Sequence, residues 1–323
     1  MKKTILAGAS ILALSAASPA FAQSNSTVNQ NGTANTADVV QSNSNDSTVT
    51  QNGNTNDADV LQTGDGNTST ILQDGVNNNI ADVQQAGTDS TASITQSGNA
   101  DGDFGLVLQA PDADNSSATI TMIGDVAPGV SANAALIDQS GGTNNTSNVT
   151  LGGTGNVFEN IQVGSDNSSD FLNDGTGNLA FIDQIGDGNS ALGGQTGNGN
   201  NMDINQNGSF GTSVSFQDGD ASTITLNQGG LGNESIIDQG FQNGNTNNVT
   251  VDQTGDGNIS AVNQGFNLLS TGNDISVLQT GDNNTSLVEQ DGDANIASVT
   301  QATDGNFSTF TQSGTGNSST VNQ

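Results

Sequence analysis

The sequence predicts an all-β fold: a β-solenoid of about 13 coils, two strands per roughly 22-residue coil, forming two stacked parallel sheets. Three observations predict it. Glutamine recurs at a spacing of 11, the residues between such glutamines alternate in chemistry with period two, and a glycine follows most of these glutamines at a fixed offset.

The glutamine register comes first. Of 26 glutamines, all but Gln23, Gln85 and Gln242 fall on one ladder. It begins Gln30, Gln41, Gln51, Gln62, Gln73, Gln84, Gln96, Gln109, and then passes Met122, Gln139, Leu151, Gln162 and Asn173. It continues through Gln184, Gln195, Gln206, Gln217, Gln228, Gln239, Gln253, Gln264, Gln279, Gln290, Gln301 and Gln312 to Gln323. From Leu151 to Gln239 the step is 11 eight times running. A disordered polar tract has no reason to hold such a register, although the composition alone, poor in large apolar groups and with 43 glycines, points to disorder.

The strands follow from the segments ending on these glutamines. NTSLVEQ at 284–290, NIASVTQ at 295–301 and NFSTFTQ at 306–312 each start on Asn and end on Gln. In a strand, alternate residues share a face. One face then reads Asn284, Ser286, Val288, Gln290, and the next Asn295, Ala297, Val299, Gln301. Asn67, Asn178, Asn189, Asn258, Asn306 and Asn317 occupy the same leading position. The other face drifts, from Thr285, Leu287, Glu289 to Ile296, Ser298, Thr300, so the repeating face is the inward one. Stacked inward glutamines are expected to bond amide to amide along the axis, and the asparagines to do the same at the other end of the strand. A buried amide left unpaired costs about 1–3 kcal/mol, so a core this thin needs the ladders.

The turns read Q-x-G-x-x-N, as in Gln279-Thr280-Gly281-Asp282-Asn283-Asn284, with Gly and Asn where a tight reversal needs positive φ. Steps of 13, 13, 17 and 12 separate Gln96 from Leu151, and Pro111 and Pro128 lie there, so the stack is expected to be irregular, with bulged loops, around 97–150. Apart from this zone, 23–323 reads as one repeat domain.

Residues 1–22 read as a secretory signal peptide: Lys2 and Lys3, an apolar stretch, then Ala20-Phe21-Ala22 as a cleavage site. The remainder has no Lys, Arg or His and carries all 33 acidic residues. That excludes electrostatic binding to nucleic acid or to an anionic membrane, and no later stretch is apolar enough to insert into one. With no Cys, there are neither disulfides nor thiolate metal sites. The common catalytic bases and nucleophiles are missing, so no enzyme activity and no cofactor are expected. Outward acid pairs such as Asp57 and Asp59 read as solvating groups that oppose lateral association. The turns QTGDGN at 62, QIGDGN at 184 and QTGDGN at 253 hold an Asp among oxygen-rich groups of the kind Ca²⁺ prefers, but most lack a second Asp, and no specific metal site is expected.

Gln279-x4-Asn284-x5-Gln290 matches the curlin repeat position for position, and Ser69 to Gln73 lies in another such unit. The sequence resembles a curli-type fibre subunit over nearly all of 23–323. The resemblance implies a functional amyloid that is secreted unfolded across the bacterial outer membrane and nucleated at the cell surface. Partners in secretion and nucleation, and roles in biofilm matrix and adhesion, are implied with it. Independently of the resemblance, the repeat starts by Gln30 and runs to Gln323 without a capping unit, so open strand edges are expected to pair with other copies. The alternative is a monomeric or surface-tethered β-solenoid binding module of the adhesin kind.

Overall fold

A computed structural model describes residues 23–98, 102–124, 132–265 and 270–323. The expected leader, residues 1–22, and Pro128 lie outside the described residues, as does the side chain of Gln242. The protein is a β-solenoid of 26 strands, from β1 (Asn25–Thr33) and β2 (Thr36–Gln41) to β25 (Phe307–Thr315) and β26 (Ser318–Asn322). Odd-numbered strands form one 13-stranded sheet and even-numbered strands the other, each in chain order, so every coil gives one strand to each sheet. We call these sheet A and sheet B.

All neighbours pair in parallel, inward positions opposite inward positions, with register shifts only past the ladder glutamine, at Asn52/Gly53 and Gln217/Gly219. Gln184 of β14 (Leu179–Ile185) pairs with Gln206 of β16 (Asn201–Gln206), and Ile182 with Ile204. This register follows from the alternation: a slip of one residue would turn Asn, Ala, Ile and Gln outward together. The expected irregular zone keeps the same pairing. In β8 (Phe104–Gln109) and β10 (Ala134–Gln139), Val107 pairs with Ile137 and Gln109 with Gln139, so the added residues lie in connections and not in strands. The ladder displaces its register at one point of the sequence-based count: on β6 (Ile80–Gln85) the inward glutamine is Gln85, and Gln84 faces out. Counting in elevens selects Gln84, whereas alternation from Asn79 through Ala81 and Val83 selects Gln85.

The core is one column of side chains between the sheets, including Val49, Ile71, Ile94, Ile120, Ile182, Ile204 and Val299, all buried. Each contributes about 1.5–3 kcal/mol when withdrawn from water. Volume is balanced across the two sheets. Gly105 faces Ile94, whose Cγ2 would lie 2.9 Å from a Cβ at that position. Gly193 leaves room for both Phe171 and Met202: a Cβ there would meet Phe171 Cδ2 at 2.7 Å and Met202 Sδ at 3.2 Å. Phe171 in turn stacks on Phe158, centroids 5.0 Å apart.

The arcs between strands need glycine for two reasons. Gly175 has φ 150°, and a Cβ on it would lie 1.8 Å from the carbonyl oxygen of Gly197 in the next coil. Residues two and four places after Gln184 show the same pattern, Gly186 at φ 117° and Gly188 at 69°.

Candidate functional site: the amide ladders

On sheet B the inward glutamine lies at or next to the end of its strand, whereas most strands of sheet A run on past it, as β25 does from Gln312 to Thr315. Sheet B carries an unbroken column from Gln41 through Gln62, Gln85, Gln109, Gln139, Gln162, Gln184, Gln206, Gln228, Gln253, Gln279 and Gln301 to Gln323. In each of these bonds Nε2 donates to Oε1 of the following coil, at 2.6–3.0 Å. The column is therefore directional, with donors pointing toward the C-terminal coil and acceptors toward the N-terminal one. The second amide proton crosses the core: Gln184 Nε2 also donates to the Ser168 carbonyl at 2.9 Å on the opposite sheet, and Gln301 Nε2 to that of Thr285 at 3.0 Å.

Sheet A carries the same ladder in two pieces. One joins Gln30, Gln51, Gln73 and Gln96. The other joins Gln195, Gln217, Gln239, Gln264, Gln290 and Gln312. Between them stand Met122, Leu151 and Asn173, all buried. The first piece ends satisfied, because Gln96 Nε2 donates to the carbonyls of Ile80 and Asp103, both at 2.9 Å. The second begins unsatisfied: Asn173 Nδ2 and Gln195 Oε1 are buried without a hydrogen-bond partner.

The asparagines differ from the sequence-based expectation. They bond to the backbone of the next coil, not to one another's amides. Asn178 Oδ1 accepts the Asn200 N–H at 2.9 Å, and its Nδ2 donates to the Gly197 carbonyl at 3.0 Å. Asn67, Asn189 and Asn295 make the same pair of bonds. Asn258 and Asn284 accept the N–H of Asn284 and Asn306, at 2.9 and 2.8 Å, but their Nδ2 groups lack partners. The physical reason is reach. The shorter side chain sits in the arc, beside the carbonyl of the turn glycine, and that carbonyl meets it first. Two of these asparagines also donate to an asparagine oxygen, Asn178 Nδ2 to Asn173 Oδ1 at 2.9 Å within its own coil and Asn317 Nδ2 to Asn295 Oδ1 at 3.0 Å. Asn317 lies exposed in the last coil, and Asn306 is half-exposed.

The Ser-or-Ala position of the inward face was read from the sequence, but not how the two residue types divide between the sheets. Ten buried serine hydroxyls of sheet A have no partner, Ser47, Ser69, Ser260 and Ser286 among them. Sheet B holds Ala58, Ala81, Ala135, Ala180 and Ala297 at the matching strand position. The Asn position is also filled once by a carboxylate: Asp103 is buried, its Oδ1 accepts the Asn133 N–H at 2.9 Å, and Oδ2 has no partner. Burial raises its pKa above the usual carboxylate value, and the Asn133 hydrogen bond opposes that shift.

The turn aspartates act on backbone. Asp65, Asp187 and Asp256 accept the N–H of Ser44, Ser165 and Leu231 in the preceding coil, at 3.0, 2.8 and 2.9 Å. Among the described residues no group of three or more acidic, His or Cys side chains is placed to hold a metal ion. Nor is there, among them, a helix long and apolar enough to cross a membrane.

The family model of the curlin associated repeat matches residues 42–75, 175–208 and 271–302. Each matched stretch encloses three successive ladder glutamines, such as Gln184, Gln195 and Gln206 in the second. No curated protein matches the chain.

Proposed function

We propose that this chain, a curlin-repeat protein, is a secreted structural subunit that polymerises end to end into extracellular, curli-like amyloid fibres. The observation that carries the reading is the one-way ladder of sheet B. Because every amide donates in the same direction, the first and last coils present opposite and complementary rows. The Oε1 atoms of Gln30 and Gln41 face one way, and the Nε2 groups of Gln312 and Gln323 face the other. A second copy docked head to tail continues both sheets and the ladders, with Nε2 of Gln312 and Gln323 donating across the junction as Gln290 and Gln301 do within the chain. The backbone edges continue with them, the addition of strands that open sheet edges favour. Export through a leader at 1–22, secretion and nucleation partners, and a place in biofilm matrix and adhesion belong to the same proposal and rest on the curlin repeats.

The test is electron microscopy of the purified protein after incubation, followed by seeded elongation rates. Unbranched fibres are expected. Gln312→Ala removes a junction donor and should slow elongation, consistent with a cost of about 1–3 kcal/mol for the amide left unpaired. Gln84→Ala, on the outer face, should elongate like the parent. A chain that stays monomeric under conditions that keep its β-structure would favour the solenoid binding module instead.

A further inference from the structure

The two sheets take alternate strands, so their outer faces are interleaved in the sequence and separate only in the fold. On sheet A the middle outward column reads Thr27, Thr48, Thr70, Ser93 and Thr119 over the first five coils. Beside it stand Thr91, Ser117 and Thr146 on one side, and Thr95, Thr121 and Thr150 on the other. From β5 (Thr68–Asn77) through β7 (Thr91–Gly98) and β9 (Ser117–Gly124) to β11 (Thr146–Thr154), ten of the twelve outward positions before the ladder carry a hydroxyl. Leu72 and Asn148 are the other two. All twelve are exposed or half-exposed, and among the described residues none of the ten hydroxyls has a hydrogen-bond partner. No carboxylate lies inside this field, in a chain with 33 acidic residues; Asp46, Asp74 and Asp170 stand at its rim. The outer face of sheet B differs, with Asp38, Asp59 and Asp82 in one column.

We propose that this face binds ice. Successive coils lie about 4.8 Å apart and alternate residues of a strand about 6.6 Å apart, so the hydroxyls form a grid whose two repeats are close to those of the oxygen rows on the prism face of ice. The field spans about 14 Å along the axis and about 13 Å across it, which covers several lattice repeats and not a single bound molecule. Threonine suits such a surface. Its β-branching fixes χ1, so hydroxyl and methyl are held in place before binding and little rotamer freedom remains to be lost. Charge complementarity points the same way. Ice is neutral and so is the field, whereas a carboxylate orients water around itself and breaks the lattice order. A charged partner finds nothing here to pair with. A sugar polymer, held chiefly by stacking on aromatic rings, finds no ring among the twelve positions. The proposal does not depend on polymerisation, since the field is complete within one chain.

The test holds a single ice crystal in a solution of the purified, unassembled protein and records its shape and the gap between its melting and freezing temperatures. Faceted crystals and a measurable gap are expected, and ice grown slowly through the solution should take up the protein. Thr119→Tyr sets a ring in the centre of the grid and should remove most of the gap. Thr250→Tyr, on the outer face of sheet B, should leave it unchanged. Ser93→Thr adds the methyl group missing from the middle column and should widen the gap. Circular dichroism checks that the solenoid persists in each variant, and Ser93→Thr answers if Thr119→Tyr unfolds. Rounded crystals that exclude the parent protein overturn the proposal, as does an equal loss in Thr119→Tyr and Thr250→Tyr. So does binding to crystalline cellulose that Thr119→Tyr removes while the ice gap stays unchanged, which would make the face a glycan site.

Discussion

At position 173 the side chain ends one methylene short of its ladder neighbours, and two buried polar atoms lose their partners, Asn173 Nδ2 and Gln195 Oε1. Asn173→Gln restores the missing reach and should raise stability by about 1 kcal/mol, read as a higher urea midpoint. An unchanged midpoint would mean that the new Oε1, placed against Leu151, costs as much as the bond contributes. Asp103 poses the complementary case, a carboxylate where the column otherwise holds an amide. Its pKa is raised above 3.8 by burial, so the charged form is disfavoured in the fold. The sign follows: the penalty is present at neutral pH and disappears as the pH falls through the raised value toward 3.8. Asp103→Asn should therefore be more stable than the parent at pH 7, with the advantage shrinking toward pH 4. Urea midpoints at the two pH values check it, and a constant difference would sink the burial account.

A strand of this chain carries two messages, and they differ in how far the sequence discloses them. Which face is inward was legible, because Asn, Ser or Ala, Val or Ile, and Gln recur at alternate positions. The count of eleven was the weaker guide, and on β6 it chose Gln84 where alternation chose Gln85. The asparagine partners were not legible, since an amide beside a turn can meet a side chain or a carbonyl, and only the distance to glycines such as Gly197 decides. Nor was the balance of volumes across the sheets, which exists only once β15 (Ser190–Asn198) faces β16. That balance is testable. Gly193→Val crowds Phe171 and Met202 and should cost about 1–3 kcal/mol, the usual penalty of overpacking. Adding Met202→Ala should recover part of the loss. If the two substitutions prove additive, the side chains do not share the space as described.

For the molecule as a whole, charge repulsion opposes both the fold and its assembly. The sequence holds 33 acidic residues against two basic ones, and stacking in register places some carboxylates in columns, as Asp38, Asp59 and Asp82. Burial first, and then Asp57, Asp82 and Asp38, raise the pKa of Asp59. Asp183 is raised by burial, Glu159 and Asp203. Each such group stabilises the protonated fold, so stability should increase as pH falls from neutral toward 4, the reverse of common acid denaturation, because no ion pairs with basic side chains are there to be lost from 23 onward. Fibre growth should accelerate over the same range and with divalent cations. A lag time independent of pH would contradict this. The acidic surplus was plain from composition, but its arrangement was not, since Asp38, Asp59 and Asp82 align only once the coils stack.

The ladder gap in sheet A has a mechanical meaning. A solenoid pulled along its axis bears load through layers in series, and every layer carries the same tension. Its strength is then that of its weakest layer and not the average over all of them. From Gln96 to Gln195 one of the two glutamine columns contributes no amide-to-amide bond, while the other continues through Gln109, Gln139, Gln162 and Gln184. A chain stretched between its first and last coils should yield there first, opening in its middle like a seam with one of two threads missing.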